Sequence, residues 1–273
     1  MGLASSDRTD GPTAPTDRPT DRTLHNGSVP RFYAPSLTPA EETIALDQDE
    51  ASHLVRVLRI EPGREVRVFN GHGLERVARV ELADKRGVVL RLIGDASPAP
   101  ELPFPLVLAQ AVLKGDAMDQ VIRDAVMLGV TSILPIVSAR TDGSPAHVQN
   151  PRRVDRWQRI AVSSAKQCGR ATVPEVSSAA PFDAVFERTD HDLLVLAEPG
   201  AWPDATPVGL LPRGSRSRGV VVCVGPEGGW APEEIARARD RGARGVTLGA
   251  LTLRADAAAV VSLPVLRYVW EAL

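Results

Sequence analysis

The chain has little of what would mark a metal centre, a disulfide scaffold or a membrane protein. Of its 273 residues only two are cysteine, Cys168 and Cys223, too few for a disulfide framework, so a reducing cytoplasm is the expected setting. Cys223 lies in an apolar run and reads as a small core residue. The five histidines are scattered without zinc-ligand spacing, and no metal site is expected. No apolar run approaches the length of a membrane span, and no hydrophobic signal region opens the chain. The pattern Met1-Gly2 to Ser6 formally suits myristoylation but lacks a polybasic or second lipid signal, so it reads as a chance match. Lysine occurs only at Lys85, Lys114 and Lys166, leaving arginine as the cation. Coding bias explains that imbalance, and it also supplies forked donors suited to phosphate. The net charge is −2, which excludes nucleic-acid binding through overall field; any RNA contact must come from local arginine clusters. A Gly-x-Ser-x-Gly nucleophile elbow, a phosphate loop and a Gly-x-Gly-x-x-Gly fingerprint are all missing. Glycosidase-type carboxylate pairs leave no sequence mark, and nothing points to one.

What the chain does have is a pair of glycine turns between residues 219 and 256. Val220 to Val224 is a continuous apolar run, which suits a buried strand. Gly225-Pro226-Glu227-Gly228-Gly229 ends it. Pro232 then opens a helix, and Glu233 and Glu234 occupy its first turn, where the helix dipole favours negative charge. Ala231 is a poor cap. The helix ends near Gly242, and a second buried strand, Gly245 to Leu248, runs into Gly249. Two strands thus deliver glycine loops side by side. At the carboxyl ends of parallel strands such loops let a ligand approach backbone; the same glycines also make plain tight turns.

The remaining chain divides by composition. Residues 1–27, rich in Thr, Asp, Arg, Pro and Gly, read as a disordered tail. Residues 28–97 read as a small β-barrel. It has strands at Arg31-Phe32-Tyr33, Glu65 to Phe69, Glu75 to Val80 and Lys85 to Ile93, a hairpin signal at Asn70-Gly71, and a short helix from Glu50 to Leu58. Residues 98–105 are a Pro-rich linker. From 106 to 273 the rhythm is strand, helix, strand: Leu106 to Val112, a helix from Met118 to Leu128 closed by Gly129, and Ser132 to Val137. That order implies parallel strands with right-handed crossovers. A helix spans Arg152 to Lys166, a strand starts at Leu193, and residues 203–218 read as loop. A final apolar helix runs from Ala257 to Leu273, kinked or restarted at Pro264. It is expected to cover the glycine loops and pack on a partner subunit.

The ordered set Gly225-Pro226-Glu227-Gly228-Gly229, a helix, Leu248-Gly249 and Leu253-Arg254 resembles the SPOUT superfamily of methyltransferases. It is most similar to the family that methylates N3 of a uridine in 16S ribosomal RNA. Further matches are Arg31-Phe32-Tyr33, His53 to Arg59, Pro62-Gly63, Gly71-His72-Gly73, Lys114, Leu128-Gly129-Val130, Ser138 to Thr141, Gln167 and Arg170. Together they extend the resemblance from about residue 30 to the end. Val126-Met127, Asp256 and Ala257 depart from it, standing where the family usually has Thr-Glu, Glu and Thr.

The resemblance implies an α/β fold: a PUA-like N-terminal β-barrel, then a SPOUT domain whose C-terminal segment threads a trefoil knot. It implies homodimers, with each site finished by the partner chain. The cofactor would be S-adenosylmethionine, held by Leu196, Glu198, Gly225 to Gly229, Leu248, Gly249 and Leu253. The partner would be 16S rRNA within the small ribosomal subunit. Arg31, His53, Arg56, Arg59 and Lys114 are RNA candidates by the same resemblance. Gln167 and Arg170 join them at the edge of the active site, though a helix C-terminus with an arginine on its dipole accounts for that pair equally. For chemistry, Asp256 is a candidate proton acceptor or else a helix N-cap. Arg254 and Arg140 would stabilise a uracil anion or bind a flanking phosphate. Rival readings are a SPOUT enzyme acting on another rRNA or tRNA nucleotide, a non-catalytic RNA-binding protein of the same fold, and a small-molecule α/β enzyme.

Overall fold

The computed structural model describes residues 29–143, 150–214, 216 and 218–272. The segment read as a disordered tail, 1–27, lies outside the described residues, as does the Met1-Gly2 pattern.

The N-terminal half is a five-stranded sheet built from β1 (Arg31–Tyr33), β2 (Thr43–Ala45), β3 (Glu65–Phe69), β4 (Glu75–Asp84) and β5 (Gly87–Asp95), in the order β1-β3-β4-β5-β2. Alternation places Val66, Val68, Ala78, Val80, Val88 and Leu90 on one buried face around Phe32 and Leu54. Register shifts between Val77 and Ala78 and between Val80 and Leu82 bend β4, which curls the sheet about that core. The β3–β4 connection is wider than a two-residue Asn-Gly turn. Asn70 Oδ1 accepts from the N–H groups of His72 and Leu74 and so organises a longer loop.

The expected 50–58 helix is two segments. Helix α1 (Gln48–Ser52) starts where Asp47 accepts from the N–H of Glu50. A π-helical stretch, His53–Leu58, follows and ends at Arg59 with φ +53°. Val55 and Val57 are β-branched and weaken a regular α-helix here.

The C-terminal half is an eight-stranded, all-parallel sheet. Its strands are β6 (Leu106–Ala111), β7 (Ser132–Val137), β8 (Glu175–Val176), β9 (Ala180–Pro181), β10 (His191–Leu196), β11 (Thr206–Pro207), β12 (Gly219–Val224) and β13 (Arg244–Thr247). The order is β11-β13-β10-β12-β6-β7-β8, with β9 also on β7. Its helices are α2 (Ala117–Met127), α3 (Pro151–Cys168), α4 (Pro232–Asp240) and α5 (Ala255–Val269). Leu106, Leu108, Val220 and Val222 meet α2, α3 and α5 on one face; Val107, Ala109, Val221 and Cys223 meet α4 on the other. Burial on both faces is why these strands read as unbroken apolar runs. Burial also raises the Cys223 thiol to a pKa of about 12, so it stays protonated. The chain leaves β6 for β7 on one side and later fills β12 on the other. The order therefore reverses beside β6, and the strands' carboxyl ends border a crevice there.

Two expectations about the C-terminal half change. The last helix starts at Ala255, not Ala257, ends at Val269, and runs unbroken through Pro264. The 203–218 stretch holds the two-residue edge strand β11 and a short 3-10 turn, Val208–Leu210.

Two cations, Arg31 and Lys166, join the halves, and a third, Arg170, braces the C-terminal side of the joint. The Arg31 guanidinium grips Glu75 at 2.9 and 3.1 Å and donates to the carbonyls of Ala165, Lys166 and Arg170 at 2.8–2.9 Å. These carbonyls lie at and just past the end of α3, where helical partners run out. Lys166 pairs with Glu50 at 2.7 Å. Arg170 holds Glu101 at 3.0 and 2.5 Å and donates to the carbonyls of Val126 and Val130. Backbone bonds complete the joint, Gly73 N–H to Ala171 and Val173 N–H to Gly71. The Glu75 side chain is fully buried, so Arg31→Met strands a carboxylate. The expected cost is about 3–5 kcal/mol in urea unfolding, and adding Glu75→Met should recover much of it. An Arg31→Met protein as stable as the parent would show that the pair does not hold the joint.

Candidate active site

The carboxyl ends of β10, β12 and β13 open into a cavity of about 190 Å³. Residues of the 196–199, 224–230 and 248–254 loops form most of its lining. The start of α5 contributes Ala255, Asp256 and Ala258, and Leu113 and Ala117 close the β6 side. Leu196, Glu198, Gly225, Pro226, Glu227, Gly229, Leu248, Gly249 and Leu253 all line this one space.

Close contact explains the glycines. A Cβ on Gly225 would sit 3.2 Å from the Trp230 ring. That indole is buried and donates to the Leu196 carbonyl at 2.7 Å, tying the β12 loop to the end of β10. Gly229 has φ +67°, and a Cβ there would lie 2.7 Å from Glu198 Oε1. Gly228 does not line the cavity. It lies beneath Arg140, whose Nη1 donates to the Gly228 carbonyl at 2.9 Å.

Two groups of charged candidates stand at the cavity. Arg254 is the N-cap residue of α5 and Asp256 lies in its first turn, so Asp256 is not the cap. Arg254 grips Asp256 with two bonds, 3.1 and 2.8 Å, while Asp256 Oδ1 also accepts from the Ala257 N–H at 3.0 Å. The Arg254 side chain is 83% exposed and free to meet a substrate from solvent. Lys114 stands at the rim: its N–H donates to Glu227 Oε1 and its ammonium pairs with Asp142 at 2.6 Å. That hydrogen-bonded pairing holds the Lys114 ammonium above the usual lysine range and the Asp142 carboxyl below its own.

The RNA candidates divide. Arg56, Arg59 and Gln167 are exposed, and His53 is half-buried with its ring edge-on to Phe32 at 6.3 Å. Arg31 and Arg170 turn inward. Every guanidinium nitrogen of each donates to protein oxygen, Arg31 at the joint and Arg170 within the linker and C-terminal half, which leaves no face for phosphate.

Several residues at the site went unread in the sequence. Trp230 and Thr252 line the cavity. Gln110 is fully buried at the end of β6 and donates to the Ala111 carbonyl; its Oε1 has no partner. One polar residue inside the run Leu106 to Val112 was the available signal. Glu234 is 2% exposed, and its bonds reach beyond its own helix. Among the described residues, no three His, Cys, Asp or Glu are placed to hold a metal ion, and no helix is long and apolar enough to cross a membrane.

The backbone strain at Gly229 sets a test of the loop. Gly229→Ala should cost about 1–2 kcal/mol in urea unfolding from the left-handed φ. Glu198→Ala in the same chain, which clears the contact but not the φ, should restore only part. Full restoration would contradict a strained turn.

Known proteins match this chain along most of its length. Residues 100–267 match the RNA methyltransferase domain family, and residues 46–93 match the RNA methyltransferase PUA domain. Ribosomal RNA small subunit methyltransferase E of Synechocystis is 33% identical over 82% of this chain and 72% of its own. The Mycobacterium bovis protein of the same name is 31% identical over 85% and 88%. The crystal structure of the Neisseria gonorrhoeae ribosomal RNA small subunit methyltransferase E, bound to S-adenosyl methionine, superposes with a TM-score of 0.80. It is 30% identical and covers 89% of this chain and 98% of that one. A Legionella pneumophila putative methyltransferase with bound S-adenosylmethionine gives the same TM-score at 28% identity, over 88% and 98%. A PUA-like half followed by a SPOUT-type parallel sheet, agreement over whole chains, and glycine loops gathered on one cavity lead to one assignment: this chain belongs to the ribosomal RNA small subunit methyltransferase E family.

Proposed function

We propose that this chain methylates N3 of a uridine in the 16S rRNA of the small ribosomal subunit, with S-adenosylmethionine as donor. The observation that carries the reading is the cavity beneath Arg254, where glycine-containing loops from three parallel strand ends converge beside an exposed guanidinium.

The lining suits the donor. Loop backbone at Leu196, Gly225 to Glu227, Leu248 and Leu253 offers N–H and carbonyl groups to the polar edges of an adenosine, and Leu113, Ala117 and Ala258 offer apolar walls. Glu198, Glu227 and Asp256 face the same space against one guanidinium, a balance that favours a cationic ligand. When bound, the donor supplies a methyl group already activated by its sulfonium. The protein must then align the acceptor and deal with the N3 proton.

Arg254 would stabilise the uracil anion, with Asp256 orienting it through the two bonds between them. Asp256 Oδ1 accepts from both Arg254 and Ala257, whereas Oδ2 accepts only from Arg254 and keeps a lone pair that could take the N3 proton. Arg140 would bind a flanking phosphate. The exposed Arg56, Arg59 and Gln167, with His53 and Lys114, make up the RNA-facing set. Two chains work as a homodimer, with the α5 face packed on the partner and the C-terminal segment threaded as a knot. Action on the small subunit puts the enzyme in the cytoplasm.

Kinetics on small subunits that lack the modification test the assignment. Arg254→Ala should lower kcat about 100- to 1,000-fold, as loss of one anion-stabilising donor does, with donor affinity within about twofold. Asp256→Asn should cost about tenfold, because the amide keeps one acceptor for the arginine. If Asp256→Asn is the more damaging and removes a pH limb from kcat, then Asp256 is the base and Arg254 only holds it.

A further inference from the structure

We infer that Glu234 is a positioning residue that sets Arg140 over the glycine loop. The inference rests on Arg140 acting at the site.

Glu234 is the third residue of α4, with Ala231 just before the helix. Its Oε2 accepts from the Ala231 N–H at 2.9 Å, which satisfies one donor left free at the helix start. A serine or threonine at 231 would return a second bond; alanine cannot. The other oxygen leaves the helix altogether. Oε1 accepts from the N–H of Ala139, also at 2.9 Å, in the turn after β7. That turn is closed on itself by Ser138 and Thr141, through the Thr141 N–H to Ser138 carbonyl bond and the Ser138 N–H to Thr141 Oγ1 bond. Arg140 is the next residue, and its Nη1 reaches the Gly228 carbonyl at 2.9 Å.

One carboxylate therefore joins the two loops flanking the site. Helix capping alone does not call for a buried charge, since an exposed serine cap would serve. At 2% exposure the carboxylate loses its hydration, and two charge-assisted bonds offset that loss. The second bond has no role in α4. It fixes the height of the Arg140 backbone relative to Gly228, and through it where the guanidinium stands. Gln at this position would keep one acceptor oxygen and aim an NH₂ at the other N–H, so one loop must let go.

The test separates the tether from the cap. Glu234→Gln should lower kcat on small subunits about 10- to 100-fold, the scale of a misplaced group, and speed hydrogen exchange at the Ala139 amide. Ala231→Ser/Glu234→Gln restores a cap and should recover the melting temperature but not kcat. In an Arg140→Ala background, Glu234→Gln should cost no further kcat. Recovery of kcat with the melting temperature, or full additivity with Arg140→Ala, would overturn the inference while leaving Arg140 at the site. An Arg140→Ala enzyme of parental activity would remove Arg140 from the site and the inference with it.

Discussion

Everything at the site depends on parallel strands ending level with one another, with chain leaving β10, β12 and β13 through backbone that a ligand can touch. Backbone lining is possible only where side chains are kept away. Gly225 yields its space to the Trp230 indole and Gly229 yields to Glu198. The indole bond to the Leu196 carbonyl then stops the two strand ends from drifting apart. A pocket made this way has few side-chain donors of its own, so its selectivity comes from shape and from the acids at its rim.

The N-terminal sheet matters through its attachment. A flexible linker would let the two halves sample many orientations. Here Arg31, Lys166 and Arg170 pair across or beside the joint, and two backbone bonds link the 71–73 loop to 171–173. An RNA held by Arg56 and Arg59 would thus lie at a fixed distance from the cavity. Arginine suits the joint because one planar group can face a carboxylate and several helix-end carbonyls together.

The sequence made the cavity legible because its determinants are local. Glycines, a following proline and apolar runs of strand length mark the β12 and β13 turns, and every backbone candidate except Gly228 lines the space. Side-chain roles were less legible. Arg31 and Arg59 look alike in sequence, yet one is tied inside the joint and the other is exposed, a difference set by contacts 44 to 139 residues away. Glu234 announced a helix start, but its bond to Ala139 spans 95 residues and leaves no spacing to read. Strands β8, β9 and β11, two residues each, are too short to show any period.

The central claim is that the cavity beneath Arg254 delivers a methyl group to a uracil nitrogen. Small subunits from a strain lacking this activity, incubated with the protein and S-adenosylmethionine labelled in the methyl group, test it in one nucleoside digest. The account predicts label in 3-methyluridine from 16S rRNA. Label in a 2′-O-methyl nucleoside or in another base would contradict it, and so would no transfer by protein that binds the donor.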